Sequence, residues 1–229
     1  MRTGAIILFL NGYCYQSYGW NILRPLGNLQ NSLDHLERYQ VDEISIIRPI
    51  RGLDTDKAFY SDMTKLSKIK SATPLSFGGG LYNQERVDTA RSLSFERLIF
   101  SSNLFFKNSK LIDYTINTMG KQAVLGSLPF KFIKNKLMIF NSVENNFLDM
   151  KKMCFNQLNK CDELLLYDCL NEGKAKYFDK RILENSFFND KKIIISGGVN
   201  LNSKFTSNKN IASMLIENRI LHKEYSIKR

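Results

Sequence analysis

Short apolar runs, many of them β-branched, recur along the chain with amphipathic stretches between them. Eight stand out: Ala5 to Leu10, Glu43 to Ile47, Pro74 to Phe77, Arg97 to Phe100, Gln122 to Leu128, Glu163 to Tyr167, Lys192 to Ser196 and Ile211 to Ile216. Most are continuous rather than alternating, the pattern of strands covered on both faces. Six intervening stretches show helical spacing: Asn28 to Tyr39, with Leu29, Leu33 and Leu36 on one face, then Asp56 to Lys70, Asn83 to Ser94, Ser109 to Met119, Asn146 to Lys160 and Lys176 to Asn185. A seventh stretch, Asn200 to Lys209, is short and polar, and the tail from Leu221 to Arg229 supplies the eighth. Lys136 to Phe140 fits no crossover and is expected to pair back as an excursion from the loop after the fifth strand. Strand and helix alternation of this kind predicts a parallel sheet wrapped by crossover helices.

The two halves of the chain repeat one another at a nearly constant offset. Asp42-Glu43 recurs as Asp162-Glu163, 120 residues on, Gly78-Gly79 recurs as Gly197-Gly198 after 119, and Ile6 to Asn11 matches Val124 to Pro129 after 118. Each acidic pair opens an even-numbered strand and each glycine cluster closes an odd one. A duplicated half closing into a (β/α)8 barrel accounts for this and protects both edges that an open sheet would expose. The expected architecture is therefore α/β, a single (β/α)8 TIM barrel domain over residues 1–229.

Composition narrows the class without changing the fold. At 229 residues, 43% hydrophobic and 24% charged, the chain is long enough for one core and too short for two ordinary domains. Nothing approaches a membrane-spanning apolar run, and the first apolar stretch is too short for a secretory signal, so a soluble, cytoplasmic protein is expected. The four cysteines, Cys14, Cys154, Cys161 and Cys169, form no CxxC pair, and with only His35 and His222 to join them no metal site, cofactor or disulfide is assigned. The net charge of +11 is spread among scattered lysines in a chain rich in Asn, Ile and Phe, with no recognisable nucleic-acid-binding signature. An anionic small ligand or acidic protein fits that charge; nucleic acid and membrane are not expected partners.

Candidate chemistry lies where the strands end, because βα loops converge there and helix amino termini present free N–H groups. Ser76-Phe77-Gly78-Gly79-Gly80 follows the third strand, and Ser196-Gly197-Gly198-Val199 the seventh; glycines allow close backbone approach to a phosphate. Polar residues end the next strand in each half, Ser101-Ser102-Asn103 in one and Glu217-Asn218-Arg219 in the other. Two opposed anion sites follow, with Gly79, Gly80, Ser101, Ser102 and Asn103 in one and Gly197, Gly198 and Asn218 in the other, suited to a ligand with a phosphate at each end. The aromatic loop from Asn11 to Trp20 is long for a βα turn and is expected to act as a lid or to pack over the mouth. Arg24 and Arg51 lie near the same mouth, where they would neutralise a phosphorylated or acidic sugar.

Taken together, IILFLNG, VDEISII, PLSFGGGLYNQERVDTARSLSFERLIFSSN, QAVLGSL, CDELLLYDCLNEGK and IIISGGV resemble the cyclase subunit of imidazole glycerol phosphate synthase (HisF) and the wider group of duplicated HisA/HisF barrels, over nearly the whole chain. The resemblance implies catalytic aspartates at the ends of the first and fifth strands, but these positions hold Asn11 and Pro129, which cannot transfer a proton. A third expected aspartate falls on Leu170, leaving Asp168 and Glu172 as the acids beside Asn11 at the candidate catalytic mouth. At the opposite end the family carries a ring of charged residues where ammonia from a partner glutaminase (HisH) enters. Glu43, Arg97 and Glu163 match three members of that ring, the fourth falls on Ala5, and Asp42 and Glu96 are placed to face the glutaminase.

The chain also looks like HisF relatives in surface-polysaccharide clusters, thought to work with a HisH-like glutaminase and an ATP-dependent sugar amidotransferase. The leading expectation is a HisF-like synthase subunit of such a glutamine-dependent system, taking up ammonia at its floor and binding a phosphorylated or nucleotide-sugar ligand at the other rim. The alternatives are a genuine cyclase, a lyase of histidine biosynthesis with rearranged acids, and a catalytically inactive barrel that binds a phosphorylated metabolite.

Overall fold

The computed structural model describes residues 1–105, 110–174, 177–199, 205 and 210–216. Eight parallel strands form a closed cylinder: β1 (Arg2–Leu10), β4 (Ile44–Ile47), β5 (Leu75–Gly78), β6 (Arg97–Phe100), β7 (Val124–Ile133), β10 (Glu163–Asp168), β11 (Lys192–Ser196) and β12 (Ile211–Ile216). Strand β12 pairs in parallel with β1, and β7 with β10, so the sheet has no free edge in the barrel wall. All eight runs of the sequence become barrel strands, and the chain is an α/β TIM barrel.

Side-chain alternation divides the strands between two cores. Outward-facing Ala5, Ile7, Ile44, Ile46, Leu98, Val124, Leu164 and Ile195 pack under the crossovers in the larger cluster. Inward-facing Ile6, Ile99, Leu125, Leu165, Ile194 and Leu215 fill the cylinder itself. The four crossovers of the first half are helices: α1 (Leu29–Arg38), α2 (Asp56–Leu66), α3 (Gln84–Arg91) and α4 (Lys110–Met119). Asn28, Thr55 and Asn83 cap the first three, each side chain accepting a backbone N–H of the first turn.

The second half departs from expectation. Residues expected as a helix from Asn146 to Lys160 instead form strand β9 (Asn146–Asp149) and two 3-10 turns, Met150–Lys152 and Leu158–Lys160. The reason lies upstream: β7 runs past the barrel rim and turns back as β8 (Lys136–Asn141), which recruits β9, with Phe140 and Phe147 packed 5.1 Å apart. The excursion expected at Lys136 to Phe140 is thus a three-stranded ribbon. The stretch from Lys176 to Asn185 also gives only a 3-10 turn, Lys180–Glu184, because Asp179 and Asn185 each cap a new turn within a few residues. The seventh and eighth expected helices fall largely or wholly outside the described residues.

The aromatic first loop is a β-hairpin. Strand β2 (Tyr13–Tyr18) folds back along the upper end of β1 and pairs with β3 (Ile22–Gly27). No helix among the described residues is long and apolar enough to cross a membrane.

Candidate functional site

Because every barrel strand runs the same way, both glycine clusters lie on one rim, and β5 and β11 stand four strands apart on opposite sides of it. Each cluster presses against the end of the preceding strand. A Cβ on Gly79, at φ +98°, would lie 2.1 Å from the Arg48 carbonyl oxygen, and one on Gly197, at φ +88°, would lie 2.3 Å from that of Asp168. Arg48 and Asp168 are themselves 120 residues apart, so the repeat extends to geometry as well as sequence.

In the first half, Gly79, Gly80, Ser101, Ser102 and Asn103 line one cleft of about 630 Å³ to its open mouth, together with Trp20, Ile47, Pro49, Tyr82, Pro129 and Phe140. Ser102 shares a 2.6 Å hydroxyl contact with Ser142, which ties the loop after β6 to the ribbon. The Ser101 hydroxyl, on the inward face of its strand, is buried without a hydrogen-bond partner. In the second half Gly197 and Gly198 form the corresponding turn, and Asn218 lies outside the described residues.

Behind the cleft lies an ionic network with little trace in the sequence. The Arg48 guanidinium, fully buried, donates to Asp62 at 2.9 Å and to both Asp54 oxygens at 2.8 and 3.0 Å. Arg86 donates to the same Asp54 carboxylate at 2.7 Å, to the Gly80 carbonyl at 2.8 Å and to Asp56. Asp62 in turn accepts the backbone N–H groups of Asn11 and Gly12. Burial opposes the charge of Arg48, but Asp54 and Asp62 outweigh it and raise its pKa. The network fixes the loops after β1, β4 and β5 to α2 and α3. Its one visible signal in the sequence is Asp62, a carboxylate within the buried stripe Phe59, Met63 and Leu66.

Asp168 and Glu172 share one turn, the Glu172 N–H donating to the Asp168 carbonyl at 3.1 Å, but the side chains of the three candidate catalytic positions have separate surroundings. Asn11 is exposed, at φ 52°, its carbonyl accepting from Lys65. Asp168 points outward from the barrel and is saturated by the N–H groups of Leu170, Asn171 and Asp179 and by the Asn171 amide. Glu172 is buried at the mouth, where it accepts from Ser17, the Trp20 backbone and Tyr167. Burial pushes both carboxyl groups upward, and their donors only partly offset it. Pro129 lies within β7 opposite Tyr167, and Leu170 is exposed. Arg24 is exposed on the outer strand of the hairpin, whereas Arg51 lies 4.8 Å over the ring of Trp20. Cys14 is buried in β2, its thiol pushed up to about 12 by burial, beyond use as a thiolate nucleophile.

At the opposite rim Glu43, Arg97 and Glu163 form a closed ring, and Arg2 completes it. Arg97 bridges the two glutamates, bonding Glu163 at 2.9 Å and Glu43 more closely. Arg2 bridges the same pair from the other side at 3.1 and 2.6 Å. The fourth charge is therefore supplied three residues before Ala5. Burial alone would raise the Glu43 carboxyl, but the Ser213 hydroxyl, Arg97 and Arg2 overcome it and leave its pKa lowered. One step up the inward face comes Ser45, whose hydroxyl meets that of Ser76 at 2.7 Å, and around it the apolar layer of Ile99, Leu125, Leu165 and Ile194. Asp42 and Glu96 are exposed beside the ring.

A duplicated barrel with opposed glycine turns above and a charged ring below defines a class. The chain belongs to the histidine biosynthesis protein family, whose model matches residues 26–225. It is 25% identical over 188 residues to a protein of Leptospira interrogans named "Putative imidazole glycerol phosphate synthase subunit HisF", the alignment covering 80% of this chain and 73% of that one.

Proposed function

We propose that the chain is the HisF-like synthase barrel of a glutamine-dependent amidotransferase system. In this reading a HisH-like glutaminase docks on the rim that carries Asp42 and Glu96, and ammonia enters through the ring of Arg2, Glu43, Arg97 and Glu163. The observation that carries it is the ring: four ionic side chains close the axial floor of the barrel while the rest of the interior above is mainly apolar. A buried ion pair adds little net stability over apolar packing, so a ring at this place points to a role other than cohesion. Arg2, half-exposed, is the member that swings aside most readily. Neutral ammonia can then cross the apolar layer when its side chains part, whereas ammonium is rejected by desolvation.

At the other rim a phosphorylated or nucleotide-sugar ligand sits in the cleft, its phosphate on Gly79, Gly80, Ser101, Ser102 and Asn103, with Gly197 and Gly198 opposite for a second. Asp168 and Glu172 then act by holding the mouth loop and the hairpin, and a separate sugar amidotransferase uses the nitrogen. The test is co-purification with a candidate HisH-like glutaminase, reading glutamine hydrolysis with and without this chain. Stable association and stimulated hydrolysis are expected; neither occurring would overturn the proposal. The cyclase alternative retains one favourable observation, the Tyr167–Glu172 hydrogen bond at the end of β10, and turnover with free ammonia would establish it instead.

A further inference from the structure

Arg51 is half-buried, and one edge of its guanidinium is unused. Both Nε and Nη2 are shielded from solvent and have no hydrogen-bond partner. These two atoms form one edge of the planar group, with parallel N–H bonds at the spacing of two carboxylate oxygens. Leaving such donors buried and unmatched carries a desolvation penalty, and here it lowers the pKa of Arg51, only partly countered by Glu172. Glu172 does not fill the fork, because its oxygens are taken by Ser17, Tyr167 and the Trp20 backbone.

What holds the fork in place is also unusual. Trp20 sits at φ 66°, in the left-handed region that bulky residues avoid, at the tip of the hairpin. That turn carries the indole inward against Phe140 and Tyr167, at 5.2 and 5.5 Å, with Arg51 over its face and its own Nε1 buried without a partner. Trp20, Pro49 and Ile50 line the cleft, and Arg51 continues that segment over the same ring.

We propose that Arg51 and Trp20 form a clamp for the carboxylate of a small acidic ligand, with Arg51 Nε and Nη2 gripping its two oxygens beneath the closed hairpin. The proposal rests on reading the cleft as the ligand site of the barrel. At the Arg51 edge a single guanidinium matches a monoanion, because Arg48 and Arg86 are already engaged by Asp54, Asp56 and Asp62 and the groups suited to a phosphate lie apart, at the Gly79 turn. Trp20, Ile47, Pro49, Leu81 and Phe140 give this side of the cleft a mostly apolar wall, apart from the Gly79 turn and the serines that would take a phosphate. An acidic sugar, with its carboxylate on Arg51 and its ring against the apolar wall, is the class that fits.

Trp20 is the one tryptophan in the chain, so its fluorescence reports on this site alone. The experiment titrates the intact barrel, without any glutaminase, with glucuronate, glucose and inorganic phosphate. A saturable change with glucuronate and none with glucose is expected, and Arg51→Gln should weaken the glucuronate response by at least about tenfold. Arg51→Lys, which keeps the charge without the fork, should weaken it less, and it carries the test if Arg51→Gln does not fold. No saturable response to glucuronate, an equal response to glucose, or an unchanged response in the variants would overturn the clamp. A phosphate response stronger than that of glucuronate and lost with Arg51 would overturn the carboxylate assignment. Because no partner protein takes part, failure of the glutaminase reading leaves this result standing.

Discussion

Glu43 is the most heavily engaged member of the floor ring, accepting from Arg2, Arg97 and Ser213 while nearly inaccessible to solvent. Glu43→Gln removes one of the two charges that hold both arginines. The cost should be about 1–3 kcal/mol in urea unfolding at neutral pH, below the range for a fully buried pair because Arg2 is 39% exposed and water can solvate it. Since the folded-state pKa of Glu43 is lowered, its contribution is complete above the ordinary glutamate range and is lost as pH falls through the folded value. The stability gap between wild type and variant should therefore shrink on acidification; a gap independent of pH would refute the ionic account. Three ring members are legible through the family resemblance, Glu43 and Glu163 also through the recurring acidic pair, and Arg97 as the charge that opens β6. Arg2 is not, because its long side chain enters the ring from an earlier position, and sequence alone gives no measure of that reach. Arg51 shows in the sequence only as a charge near the mouth; the unpaired edge of its guanidinium depends on how the loop after β4 folds against Trp20.

At the scale of elements, the glycine turn after β5 and the hairpin decide the shape of the mouth. Gly79 is required twice over, by its positive φ and by the Arg48 carbonyl where a Cβ would stand. Gly79→Ala should cost about 3 kcal/mol or more, combining strain with overlap. Gly52 provides the comparison: its φ is +93° with nothing within 4 Å of a Cβ, so Gly52→Ala should cost only about 1–2 kcal/mol. Thermal unfolding of the pair checks this, and equal losses would mean that the close approach does not matter. Helices were readable where a cap opened an apolar stripe, as at Asn28, Thr55 and Asn83. Helical spacing misleads from Asn146 to Lys160, where the apolar pattern is compatible with a helix but β8 offers Phe147 a better partner in Phe140. A tertiary pairing overrode a local preference, and the local pattern contained no warning of it.

Across the whole molecule, a repeat that closes the barrel symmetrically leaves its two halves unequally secured. The first half is covered by α1 to α4 and cross-tied by the Arg48, Asp54, Asp62 and Arg86 network. The fifth and sixth crossovers, in the described parts, consist of the ribbon and of 3-10 turns at Met150–Lys152, Leu158–Lys160, Lys180–Glu184 and Ser186–Phe188. Short 3-10 turns have poorer hydrogen-bond geometry than an α-helix, and few consecutive amides are protected in them. The strands beneath are not weaker: β10 lies paired on both sides, and Leu164, Leu166, Ile193 and Ile195 are fully buried. Native-state hydrogen exchange should therefore separate cover from wall. Amides at 150–160 and 177–191 should open at lower free energies than those of α1 to α4, while β10 and β11 exchange only with global unfolding. Equal protection of the two sets of crossovers would show that side-chain burial by Leu158, Phe178, Ile182 and Phe188 compensates fully for the missing helices. The same experiment tests the link to function, because Glu172 fastens the hairpin to the loop after β10, on the less secured side. An acidic ligand held beneath the hairpin should therefore slow exchange in the 177–191 crossover more than in α2, although α2 lies behind the same mouth.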